Sequence, residues 1–253
     1  MREPTPSGRG AIRLVHSSLL RLAVTGTDTG VGKTLVACAL VTGLRTAGLR
    51  VAVMKPVETG VTARSTDTDA ERLRRASGTL HLPDDVCPVT YAEPLAPLVA
   101  ADRARRPVDL ARLDAARARV EAGAGALVVE GAGGLLVPFA RRVDGAIVDF
   151  AALAHHWGLG LVVVAANRLG VVNHALLTVR EAERRSLPVR VVVLNTVQPG
   201  PADVAAATNL ALLRELLPGV LLLAFPFVPA VARDDPGTLA RVGAPLAAAL
   251  AAR

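Results

Sequence analysis

Between Val24 and Thr34 the chain reads VTGTDTGVGKT, a glycine-rich turn set between an apolar stretch, RLAVT (21–25), and a helical one, TLVACALVTGLRTAG (34–48). A strand that runs through such a turn into a helix commits the chain to a crossover, and hence to parallel strands covered by helices. The rest of the chain repeats the rhythm. RVAVM (50–54), ALVVE (126–130), LGLVVVAA (159–166), VRVVVLN (189–195) and VLLLAF (220–225) read as further strands. Helical spacing covers 109–123, with Asp109 as N-cap, then 147–158, 173–186, 203–219 and a last helix within 234–253. This alternation predicts a single α/β domain with a mostly parallel central sheet and helices on both faces. Only 2% of the residues are aromatic, so the core must be Val, Leu and Ala. The stretch 57–108 breaks the rhythm with prolines and turn residues, as an insertion at the strand C-termini would, where ligands bind.

The turn has the chemistry of a phosphate cradle. Backbone N–H groups and the positive end of a helix converge on an anion there. Lys33 reaches outer phosphates and Thr34 offers a hydroxyl to Mg²⁺. The spelling departs from G-x-x-x-x-G-K-[ST]: the first glycine is Gly26, one step early, and Thr27 holds its expected place. The fold expected is therefore of the P-loop NTPase type.

The net charge of +7 raises the question of nucleic acid. Arginine supplies nearly all the basic charge, is scattered, and has no interleaved aromatics to stack on bases, so no nucleic-acid partner is expected. Lysine occurs only at Lys33 and Lys55. Lys55 ends the second strand, where a side chain points at the ligand crevice. Glu130 ends the third and, like a Walker B acid, can hold Mg²⁺. The glycines after it let backbone approach a ligand. Asp67 or Asp69, in the run DTD, could add a further ligand. Cys38, Cys87 and the five histidines follow no metal spacing. No apolar run is long enough to span a membrane. Residues 1–20 read as a disordered extension, or a start placed too early, too short and broken in its apolar part for a secretory signal. The enzyme domain is expected over 21–253, and a cytoplasmic location with it.

Together these motifs resemble the dethiobiotin synthetase family. The family's lengthened loop is matched by Gly26–Thr34, its K-P-x-x-[ST]-G by KPVETG (55–60), and its V-E-G-A-G-G by VEGAGG (129–134). YAEPLAP (91–97) and LGVVNHALLT (169–178) match further stretches in the same order, so the resemblance covers residues 21 to 230. It implies ATP- and Mg²⁺-dependent ring closure of 7,8-diaminononanoate with CO₂ to dethiobiotin, ADP and phosphate, through a carbamate and its phosphoric anhydride. That reaction is the penultimate step of biotin biosynthesis. Carried onto this chain, Thr29, Lys33 and Lys55 would contact the reacting groups. Gly30, Val31, Gly32, Gly131, Asn195 and Pro226 would join Lys33 and Thr34 in holding the nucleotide. Thr34, Asp69 and Glu130 would surround Mg²⁺, with Asp69 preferred over Asp67 because it directly precedes the helical AERLRRASG. Thr59 and Gly133 would bind the diamine end of the substrate. Its carboxylate would lie at Gly170, Val171, Val172 and Asn173 of a partner subunit, which implies a homodimer. The chain departs from the family at Gly30, where some members have Glu, and at Leu98, where His is frequent. A partitioning-type ATPase, the nearest rival, carries a second lysine early in its loop, where this chain has Thr and Asp.

Overall fold

A computed structural model describes residues 19–198 and 204–251. Six parallel strands form the central sheet. They are β1 (Leu20–Gly26), β2 (Val51–Met54), β5 (Ala126–Gly134), β8 (Gly160–Ala166), β9 (Val189–Asn195) and β10 (Leu222–Phe225), ordered β10-β9-β8-β1-β5-β2. Two small sheets flank it. β3 (Val57–Thr59) pairs in parallel with β4 (Val89–Tyr91), and β6 (Pro138–Arg141) pairs antiparallel with β7 (Ile147–Asp149).

Alternation along the strands builds two cores. Leu22, Val24, Val128, Val162 and Val193 face one side, and Ala23, Leu127, Val129, Val163 and Leu194 the other. The first side is covered by α1 (Lys33–Thr46) and α9 (Pro236–Ala251), with α2 (Asp69–Ser77) at its edge. The second is covered by α5 (Leu110–Glu121), α6 (Phe150–His156), α7 (Val171–Arg184) and α8 (Val204–Leu216). Aliphatic residues and alanine make up nearly all of both, as the composition requires. No helix of the described residues is long and apolar enough to cross a membrane.

Helices α1 and α9 meet backbone to backbone. A Cβ on Gly43 would lie 2.8 Å from the Gly243 carbonyl, and one on Gly243 would overlap the carbonyl oxygen of Ala39. Gly243→Ala should therefore push the helices apart and cost about 1–3 kcal/mol, as overpacking does. At this chain length that lowers Tm by roughly 2–4 °C per kcal/mol, which thermal unfolding would measure.

The strand and helix expectations hold in type and order, with two revisions. Residues 147–158 are not one helix: Ile147–Asp149 is strand β7, and the helix begins at Phe150 because the Asp149 carboxylate accepts from Ala152 N at 2.8 Å. The irregular stretch 57–108 contains β3, α2, α3 (Pro83–Val86), β4 and α4 (Pro97–Arg103), and its first part does lie at the strand C-termini. Asp109 caps α5 as expected, accepting from Ala111 N and Arg112 N. Residues 1–18 of the expected extension lie outside the described residues.

Candidate active site

The loop between β1 and α1 closes on itself. Thr27 N donates to Val164 O at 2.9 Å, which ties the loop to β8. A Cβ on Gly26 would sit 2.6 Å from Asp28 O and 2.9 Å from a Val31 methyl. The early glycine thus has no room for a side chain, because the loop's own backbone and Val31 fill the space. Gly30 (φ 73°) and Gly32 (φ 90°) adopt the left-handed conformation that turns the loop into the helix. Nothing lies within 4 Å of a Cβ on Gly30, so its backbone asks for glycine while the space around it does not. Helix α1 has no side-chain cap and no acid in its first turn, which leaves its positive end free.

Three elements bring charge to that end. Lys33 folds back so that Nζ donates to Asp28 O at 3.2 Å. β5 runs between β1 and β2, with Val24 opposite Glu130 and Met54 opposite Val129. This register sets Glu130 between Thr34 and Lys55. Oε1 of Glu130 accepts from Thr34 Oγ1 at 2.8 Å and from Lys55 Nζ at 2.8 Å. Lys55 Nζ also donates to Asp69 Oδ2 at 2.6 Å. Asp67 instead pairs with Arg75 on the surface. Glu58 is buried beside this group, and its carboxylate accepts from Asp69 N at 2.6 Å and Ala70 N at 3.1 Å.

Burial and charge act against each other here. Burial lowers the Lys33 ammonium below the ordinary lysine range, and the Glu130 carboxylate offsets this only in part. Burial also works to lower Lys55, but Glu130 and Asp69 outweigh it and hold that ammonium above the ordinary range. Burial works to raise Asp69, and Lys55 overcomes it, keeping the carboxyl below its usual range. Burial pushes Glu58 up, against Lys55 and the two amides.

A cavity of about 800 Å³ opens over these groups. Thr29, Gly30, Gly32, Lys33, Thr34, Lys55, Thr59, Asp69, Glu130, Gly133 and Asn195 all line it. The motifs spread over the sequence therefore converge on one space. Gly133 borders Thr29, whose Oγ1 would be 3.9 Å from a Cβ there. Asn195 donates through Nδ2 to Val31 O at 2.8 Å, bracing the loop.

Other expected residues lie elsewhere. Val31 is buried beneath the loop. Gly131 makes room for the Phe150 ring, which would be 2.6 Å from a Cβ. Pro226 lines a separate cavity of about 160 Å³ with Val193, Phe225 and Leu246. Gly170, Val171, Val172 and Asn173 form the start of α7, outside the main cavity. Leu98 is buried in α4. The residues not anticipated include Glu58 and Arg72, with Arg168, Thr196–Gln198, Val228 and Arg233 also on the cavity wall. Only Glu58 carried a signal, inside KPVETG.

A hard cation such as Mg²⁺ fits this donor set. Glu130 Oε2 is buried with no hydrogen-bond partner, and Thr34 and Asp69 offer oxygen beside it. Among the described residues no group of three or more His, Cys, Asp or Glu could hold a metal. Two carboxylates and a hydroxyl, completed by phosphate and water, are what Mg²⁺ takes.

Comparison with known proteins gives matches over most of the chain. The AAA_26 family model, an AAA domain, matches residues 21–234. The chain is 48% identical over 212 residues to the ATP-dependent dethiobiotin synthetase BioD of Anaeromyxobacter dehalogenans (strain 2CP-C), covering 84% of this chain and 92% of that one. It is 40% identical over 172 residues to the protein of the same name from Bacillus cereus (strain B4264), covering 68% and 69%.

Proposed function

This chain belongs to the ATP-dependent dethiobiotin synthetase family, and on that premise we propose that it closes 7,8-diaminononanoate and CO₂ into dethiobiotin, using ATP, in biotin biosynthesis. The unit that does so is one domain, residues 21–253, working in the cytoplasm. The observation that carries the reading is the meeting of Lys33, Lys55 and Glu130 with the glycine loop in a single cavity.

The chemistry follows from those residues. A carbamate formed on one substrate amine is a poor electrophile, because its carbon carries an anionic oxygen. That oxygen attacks the γ-phosphorus and ADP leaves. The second amine then attacks the carbonyl carbon, and phosphate departs with the former carbamate oxygen. Such a transfer needs charge neutralisation and positioning more than covalent help. Lys33 and Lys55 would supply the charge, with Thr29 at the transferring group. Thr59 and Gly133 would hold the diamine end. Gly30 and Gly32 would shape the nucleotide site, with Val31 and Gly131 packed behind it and Asn195 toward the base. Mg²⁺ held by Thr34, Asp69 and Glu130 would neutralise phosphate charge. C¹⁸O₂ tests the route: one ¹⁸O is expected in phosphate and one in the ureido group, whereas unlabelled phosphate would refute the anhydride.

The start of α7 supports a homodimer. Gly170 (φ 92°) leaves the helix end without a side-chain cap, and Leu169 before it and Leu177 farther along α7 are 84% and 59% exposed. In a dimer this end would receive the carboxylate of the partner's substrate.

Glu130→Gln is expected to raise the Mg²⁺ concentration for half-maximal rate by about tenfold or more, equivalent to ~1.4 kcal/mol of metal binding. A Mg²⁺ titration of the rate decides this. An unchanged midpoint removes Glu130 from the metal site.

A further inference from the structure

We propose that Glu58 is a positioning residue, whose carboxylate fixes the first turn of α2 so that Asp69 faces Lys55 and Glu130. The proposal rests on the assignment of Asp69 to the metal side of the site. Glu58 is buried on β3, three residues after Lys55, in the cavity wall. It makes no hydrogen bond to the lysine. Instead its two oxygens accept one backbone amide each, Asp69 N at 2.6 Å and Ala70 N at 3.1 Å. Thr68 Oγ1 accepts the next, from Glu71 N at 3.2 Å. The first three amides of α2 are thereby satisfied, and the first two depend on one side chain from another element.

Apart from these bonds the turn is held by the buried Ala70 and by the Asp69–Lys55 pair, neither of which fixes the backbone amides. Residues 62–67, which lead into it, are all exposed. Leu73 and Ala70 anchor α2 in the core, and Glu58 fixes the backbone of its first two residues, Asp69 and Ala70, through their amides. A glutamine has the same shape but one acceptor oxygen. Its NH₂ would meet one of the two amides donor to donor, and that amide would lose its partner.

The test is Mn²⁺ binding, followed by electron paramagnetic resonance in the presence of ADP, for Glu58→Gln, Asp69→Asn and the double variant. Outer partners of metal ligands typically contribute about 10- to 100-fold in affinity. Glu58→Gln is expected to weaken Mn²⁺ binding by at least about tenfold, and to add little once Asp69 is already Asn, because it acts through that residue. Weakening by Asp69→Asn but not by Glu58→Gln would overturn the positioning role. No weakening in either would remove Asp69 from the metal, and the proposal with it. Equal weakening by Glu58→Gln with or without Asp69 would assign Glu58 a general structural role instead. Glu58→Asp keeps both oxygens but draws them back by one methylene, and serves if the glutamine variant fails to fold. Failure of the wild type to form dethiobiotin would appear in a product assay and leave this titration readable.

Discussion

Lys55→Ala is expected to lower kcat by about 10²- to 10³-fold while ADP binds within a few-fold of wild type. The magnitude is that of removing one preorganised donor from a charge-developing transition state. Binding survives because the loop, Lys33 and the α1 terminus do not depend on Lys55. The same substitution strips Glu130, 0% exposed, of its ammonium partner. Breaking a buried pair from one side costs about 3–5 kcal/mol, so a fall in Tm should accompany the loss of rate. Single-turnover kinetics and ADP titration separate the two effects. Near-wild-type kcat would remove Lys55 from the reaction and leave it only the structural role seen in its ion pairs.

Gly32→Ala should weaken ATP binding by about 10²-fold. The residue sits at φ 90°, and holding a non-glycine residue in such a region costs about 1–3 kcal/mol. Its new methyl would also overlap Nδ2 of Asn195, displacing the amide that braces Val31 O. Losing a hydrogen bond of that kind adds about 1 kcal/mol, and 1.4 kcal/mol is tenfold in affinity. Gly30→Ala provides the contrast: its φ is similar, but nothing lies within 4 Å of the new methyl, so only the backbone strain should remain. Isothermal titration with ATP compares the two.

The parts of the site that could be read from sequence are those carried by contiguous residues or by strand ends. The loop is local, so its glycines and Lys33–Thr34 declare themselves. Lys55 and Glu130 are legible because an ionisable residue closing a Val-rich strand has one obvious place to point. The Glu58 clamp is different: it depends on α2 folding back across β3, and no spacing between positions 58 and 69 encodes that. The wall from Thr196 to Gln198 and at Arg233 comes from loops whose approach is tertiary. Two local signals in the sequence mark the β6–β7 hairpin and the start of α6. Asp149 before FAAL is an N-cap that stops strand β7, and Asp144–Gly145 is the turn of the β6–β7 hairpin.

The most direct measurement is the reaction itself: purified protein with Mg-ATP, bicarbonate and 7,8-diaminononanoate, with dethiobiotin detected by mass spectrometry and phosphate counted alongside. Dethiobiotin should form only when both ATP and the diamine are present, with one phosphate released per product. Absence of product, with ATP hydrolysed at one slow rate whether or not the diamine is added, would contradict the synthetase and indicate a partner-regulated ATPase.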